Sequence, residues 1–403
     1  MATARAFSAA PPGDKRAGAV YVATPEGGSR TTRENLDPRP SGGSERSATM
    51  AENPYSSLPD HRFWRKAVTS LPPFALDPII RTPFKISPQD KVATGGSCFA
   101  QEIAMRLQAS GFHYYLAEQP PAGMSADEAL RRNYSMYSCR YGNLYTTAQL
   151  LQLIQRAYGR FTPQLDFWNR PEDGRVVDPF RPRIEPDGYA TVDEMRADRA
   201  RHLAAVRHML ETMDVFVFTF GHTETWRHKP DGAILQLAPG VAGGTWDPGV
   251  YEFYNMTVSE VVRDFMAAVD LIREVNPKVR IVLSVSPVGI IATYEDRHVI
   301  ESNCAVKAIL RAAADEVVRA RPNIAYLPSY DLATVSPNVP MFYREDTRRI
   351  NPYGVDRAMR VFFDHFTDRR KEQDAVKAVK IDVAAEAESN SRVVCDEEAI
   401  ESA

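Results

Sequence analysis

Two rhythms of apolar and polar positions alternate along this chain, and the switches between them predict its elements. "MDVFVFTF" at 213–220 and "VRIVLSVSPV" at 279–288 are nearly uninterrupted apolar runs of strand length, as expected of strands covered on both faces. "KVATGG" at 91–96 and "IAYLPSYDL" at 324–332 read as two further strands. The stretches between them change to a helical period. Phe99, Ile103 and Leu107 recur at i, i+4 and i+8 in "SCFAQEIAMRLQAS" and share one helix face, which Gly111 ends. Helices are likewise predicted over 147–161, 257–275, 301–321 and 351–366. Strands alternating with helices specify an α/β fold, a three-layer sandwich around a mainly parallel sheet.

The pattern also sets the boundaries. Residues 1–49 carry few large apolar side chains and much Gly, Pro and Ser, so they cannot bury enough surface to offset their ordering entropy. They are expected to be a disordered extension, with Met50 as an alternative translation start that the mass of the native N-terminus would test. One α/β domain is expected over 50–370, and a charged, low-complexity, fraying tail over 371–403. The Pro-, Asp- and Arg-rich stretch 162–200 is too long for a simple connection and reads as a lid or substrate-side insertion.

Composition narrows the function classes. A formal charge of −3 gives no global pull toward nucleic acid or anionic membrane. Cys98, Cys139, Cys304 and Cys395 are scattered without ligand spacing, which argues against a zinc site or a disulfide framework and for reduced thiols in the cytoplasm. No apolar stretch approaches the roughly 20 residues that span a bilayer. No cofactor or metal is expected, and the expected partner is a small-molecule or glycan substrate.

Three polar turns follow predicted strands: "GGSC" at 95–98, "GHTETW" at 221–226 and "SPVGIIATYEDRH" at 286–298. Ligands of open parallel sheets bind outside the carboxyl ends of the strands, where these turns fall. Ser97 is either a nucleophile or a helix N-cap, a position serine favours. Cys98 beside it is a weaker candidate, because neighbouring side chains diverge there. Trp226, Trp246, Tyr251 and Tyr254 flank a Gly-rich loop and suit either sugar rings or loop packing. Lys307 invites a Ser-Lys pairing, but with no nucleophile near it in sequence except Cys304 it reads as part of a solvated helix face.

"GSCFAQEIAMRL" carries the pentapeptide that names the GSCFA family, and the chain resembles that family over roughly residues 55–365. The resemblance extends to SGNH/GDSL hydrolases and implies an SGNH-hydrolase-like (flavodoxin-like) sandwich with a long insertion. The block order is similar: Ser97, then Gly142 and Asn143 in "RYGN", then "FGHTE", then "EDTRRINPYGV" before the last helix. This implies Ser97 as acyl acceptor, with its own N–H, Gly142, Asn143 and the third block around an oxyanion. Thr223 and Glu224 stand where an Asn-Asp pair is expected. Arg349 stands three residues after Asp346, in the histidine's place. Arginine stays protonated and cannot take the serine proton.

A substitute base is therefore required, and His298 and His222 are the candidates, the former beside Glu295 and Asp296. Two function classes follow. One is a serine hydrolase or acyltransferase acting on O-acyl esters of a polysaccharide or glycoconjugate. The other is a non-catalytic carbohydrate- or anion-binding scaffold that has lost its base and holds anions with Arg349.

Overall fold

Four of the apolar runs pair side by side. β1 (Val92–Gly96), β4 (Val215–Phe220), β8 (Arg280–Val285) and β9 (Ile324–Leu327) form a parallel sheet in the order β1-β4-β8-β9. The structure, a computed structural model, describes residues 53–335, 338–368 and 393–402. The extension 1–49 and residues 371–392 of the expected tail lie outside the described residues. Residues 393–402, which the sequence places in that tail, pack against the domain (below).

Alternation along each strand splits the core into two layers. Phe216, Phe218 and Phe220 of β4 point into one cluster, and Val215 and Val217 into the other. The first is closed by α3 (Thr147–Ala157), α4 (Val192–Thr212), α5 (Val258–Val275) and α6 (Val299–Ala320). The second is closed by α1 (Cys98–Ala109), α7 (Ser329–Thr334), α8 (Val339–Phe342) and α9 (Pro352–Phe366). A short α2 (Ala126–Arg131) lies between α1 and α3 in sequence. The three-layer α/β architecture is the one the apolar pattern predicts.

Two features depart from the pattern. β5 (Glu224–His228), β6 (Ala233–Leu235) and β7 (Tyr251–Asn255) form an antiparallel sheet over a stretch in which the sequence reading has a polar turn at 221–226 and a Gly-rich loop at 237–255 but no strand. The insertion holds the hairpin of β2 (Trp168–Asn169) and β3 (Val176–Val177), then runs into α4.

That junction is held by buried charge. Asp198 accepts from Arg140 at 3.2 Å, Arg181 at 2.7 Å and Tyr189 at 2.7 Å. Asp178 accepts from Arg181 at 3.0 Å and Arg199 at 2.9 Å. The Arg140 backbone N–H donates to Glu118, which also meets His202 Nδ1, both at 2.7 Å. Burial alone raises the Asp198 carboxyl, but Arg181 and Arg140 outweigh it and hold the group well below the carboxylate range. The network fixes Arg140, two residues before Gly142, and so positions that turn.

At the carboxyl edge, Gly96 adopts φ +127° with its Cα against the Thr219 backbone. A methyl group there meets the Thr219 carbonyl oxygen, so β1 must pull away from β4. Gly96→Ala is expected to lower stability by about 2–3 kcal/mol, read as a fall in the urea midpoint at unchanged slope.

Candidate active site

Ser97 leaves β1 at the start of α1, and its own N–H donates to Thr219 O at 3.3 Å. The hydroxyl makes no capping bond, although Ser97 is the N-cap residue. Thr146, Thr191, Thr257 and Asn351 all cap their helices through the side chain. Ser97 Oγ is buried and has no hydrogen-bond partner.

Ser97 lines a void of about 10 Å³ together with, among others, His222, Ser286, Lys307, Tyr145 and Glu397. Lys307 is 2% exposed, contrary to the solvated face its neighbours suggest. Its ammonium donates to Gly221 O at 3.0 Å, and a Cβ on Gly221 would come within 2.8 Å of Ser97 Cβ. Lysine and serine thus flank the same glycine. Burial lowers the Lys307 pKa to about 8, partly offset by Glu397. Burial raises Glu397 to about 7 against the pull of Arg348 and Lys307.

His222 follows β4, and its Nδ1 accepts the Glu224 backbone N–H at 3.0 Å. Burial and the Lys307 charge push its pKa down to about 3, so the imidazole is neutral. With Nδ1 an acceptor, the proton sits on Nε2. His222 is therefore a hydrogen-bond donor at neutral pH.

Gly142 and Asn143 lie beside this niche. Gly142 has φ +71°, and an added Cβ would approach Gln236 Nε2 to 2.6 Å. Asn143 is fully buried, and Gln236 Nε2 donates to its carbonyl at 3.0 Å. Both amides also donate to Asp396 Oδ2, Asn143 Nδ2 at 2.8 Å and Gln236 Nε2 at 2.7 Å.

The remaining candidates fall elsewhere. Thr223 Oγ1 donates to Asn255 at 2.7 Å. Glu224 accepts from Thr293 Oγ1 at 2.7 Å and the Tyr294 N–H at 3.1 Å, and burial raises its pKa. His298 is exposed and caps α6 by accepting the Ile300 N–H at 3.2 Å. It does not line the Ser97 void. Arg349 pairs with Asp346 at 2.6 Å and lines a separate cavity with Cys98, Glu102 and Arg344. Asp346 also accepts the Arg348 and Arg349 N–H groups, closing its own turn. Cys98 is buried, and contact with Cys395 followed by burial pushes its thiol well up, away from a thiolate.

A second cavity, about 450 Å³, opens beside the niche and shares Tyr145, His222 and Glu397 with it. Trp226 packs edge-on against Trp246 at 5.0 Å and Tyr294 at 4.7 Å, and all three line it with Phe253 and Glu224. Sequence reading reached Ser97, His222 and these tryptophans, set Lys307 aside as a solvated residue, which its 2% exposure corrects, and missed Gln236 and Glu397. One signal was present: Lys307 sits in the stripe 307, 310, 314, 317, whose other members are Leu, Ala and Val.

The molecule is of the α/β class, with helices on both faces of a parallel sheet. The chain matches the GSCFA family over residues 91–362, more than half its length, and belongs to that family. It is also similar to a crystal structure of a mutant acetyl esterase with an acetate ion, at 10% identity and a TM-score of 0.28. That match covers 67% of this chain and 92% of the other, and a likeness so loose carries no argument about chemistry. No curated protein matches the chain. Among the described residues no helix is long and apolar enough to cross a membrane, and no group of three or more His, Cys, Asp or Glu is placed to hold a metal ion.

Proposed function

We propose that this protein is an SGNH-like serine hydrolase or acyltransferase acting on O-acyl esters, with Ser97 as nucleophile and Lys307 as general base. The observation that carries this reading is the Ser97 hydroxyl: it is buried, withheld from capping, and shares its void with a desolvated lysine. A serine hydroxyl needs an adjacent acceptor to attack at neutral pH, and buried lysines supply one in other serine enzymes. The neutral Lys307 amine takes the Oγ proton as Oγ bonds to the acyl carbon. The His222 Nε2–H donates to the oxygen that becomes negative. Collapse of the tetrahedral adduct breaks the ester C–O bond, and the Lys307 ammonium returns the proton to the leaving alkoxide. Water or an acceptor hydroxyl, deprotonated by the same amine, then attacks the acyl carbon, the acyl–Oγ bond breaks, and the Lys307 ammonium returns the proton to Ser97 Oγ. The aromatic cleft beside His222 supports a polysaccharide or glycoconjugate as the alcohol component.

A fluorophosphonate probe tests this. The expected result is a mass increase on the Ser97 peptide, absent in Ser97→Ala and undiminished in His298→Ala. Absence of labelling at every pH, including in variants of the C-terminal segment described next, sinks the acyl-transfer reading and favours the non-catalytic binder.

A further inference from the structure

We propose that Asn143 and Gln236 form a carboxylate-binding subsite beside Ser97 for a uronic-acid-bearing saccharide, and that Asp396 of the chain's own C-terminal segment fills it as a tethered competitor. This deepens the acyl-transfer reading and rests on it for the substrate's reactive end.

The segment is read by side chains as a ligand is. Val394 N–H donates to Gln101 Oε1 at 2.9 Å, and Val394 O accepts from Gln101 Nε2 and Asn143 Nδ2, each at 2.8 Å. Asp396 Oδ2 receives three donors: Asn143 N at 3.2 Å, Asn143 Nδ2 at 2.8 Å and Gln236 Nε2 at 2.7 Å. Arg183 donates to Asp396 O at 3.3 Å, and the Glu397 N–H donates to Tyr145 Oη at 3.3 Å. Arg348 meets Glu397 at 3.2 Å and Glu398 at 3.0 Å. Gln101, Asn143 and Gln236 are all at least nine-tenths buried. The Asn143 N–H and Nδ2 donate only to this segment, and buried donors left unpaired are destabilising, so the cradle favours an acceptor.

Volume decides what the segment does there. The void at Ser97, about 10 Å³, is about what one water molecule needs. With Glu397 in its lining the void is too small for an acyl group, so acylation of the intact protein waits on transient release of the segment. Glu397 is part of the wall between this void and the 450 Å³ aromatic cleft, and Ile400 of the same segment lines that cleft. Substrate and segment are mutually exclusive. Moving the segment joins the niche, the cradle and the cleft into one trough. That trough offers a carboxylate site beside flat aromatic faces, the two features of an acidic pyranose.

The full chain suffices for the test. Amide hydrogen exchange of residues 393–402 is followed with trigalacturonate, with neutral maltotriose, and with a synthetic peptide of residues 393–402. Trigalacturonate is expected to speed exchange there roughly tenfold or more at saturation, while maltotriose leaves it unchanged. Equal effects of both sugars, or acceleration by the peptide alone, overturn the uronate assignment. The double variant Asp396→Ala, Glu397→Ala is expected to raise the fluorophosphonate labelling rate of Ser97 roughly tenfold or more. Labelling at an unchanged rate overturns the competitor role. If no variant labels but trigalacturonate still releases the segment, the acyl-transfer reading fails and the binding site stands.

Discussion

Lys307→Met is expected to slow fluorophosphonate labelling of Ser97 by about 10²–10⁴-fold, the usual contribution of a positioned general base. The sign of the pH dependence follows from burial. Desolvation disfavours the ammonium, so the free amine is the minor form below a pKa of about 8 and the major form above it. The intact protein should therefore label faster as pH rises, with a midpoint near 8, and Lys307→Met should lose that rise. Lys307→Arg separates a base from a structural cation, since arginine keeps the charge but has no lone pair to offer at any working pH. A Lys307→Arg variant that labels at the rate of the intact protein, with the same pH profile, would falsify the assignment.

Asp198→Ala carries the largest expected effect on stability. It leaves the Arg140 and Arg181 guanidinium groups, each about 2% exposed or less, without their shared carboxylate. Breaking a buried ion pair from one side costs about 3–5 kcal/mol, and a loss of that size should appear in the urea midpoint. The pH dependence provides a second readout. The folded-state pKa of Asp198 is depressed, so its contribution is present above the ordinary carboxylate range and is lost only as pH falls well below it. The intact protein and the variant should converge in stability in strong acid. A loss under about 1 kcal/mol at neutral pH, below the range for buried pairs, would show that solvent reaches the network.

The same network explains why parts of the fold are illegible in sequence. The central sheet was readable because β4 and β8 are buried on both faces, and a doubly covered strand has no polar positions to confuse the pattern. Helix α4 is different: its buried face includes Asp198 and His202 beside Met195, Val206 and Met209. Hydrophobic periodicity does not register a face whose burial is compensated by ion pairing. β6 has only three residues, too few for an alternation to emerge.

The candidate site divides along similar lines. The Ser97 turn and the His222 turn were visible because a strand, a turn and a helix are local. Asp396 and Glu397 read as solvated tail, since the residues that bury them, Asn143 and Tyr145, lie some 250 positions away along the chain. That the Ser97 hydroxyl does not cap its helix also needed geometry, because serine is among the favoured N-cap residues. His222 needed its tautomer, which only the bond from Glu224 N–H supplies.

The strand order has a kinetic consequence. β1 delivers Ser97, yet among the described residues its sheet partner is β4, with Val92 set against Val215. Every other neighbour in the sheet is also reached through a long crossover, β4 to β8 and β8 to β9. Closing such loops costs entropy before any pairing rewards it, so a topology of this kind folds slowly. During synthesis the pentapeptide emerges well before β4, the strand that fixes its register. Until then the turn has no Thr219 to lean on, and the Ser97 hydroxyl has no fixed geometry. The Ser97 turn is thus completed late in the life of the nascent chain.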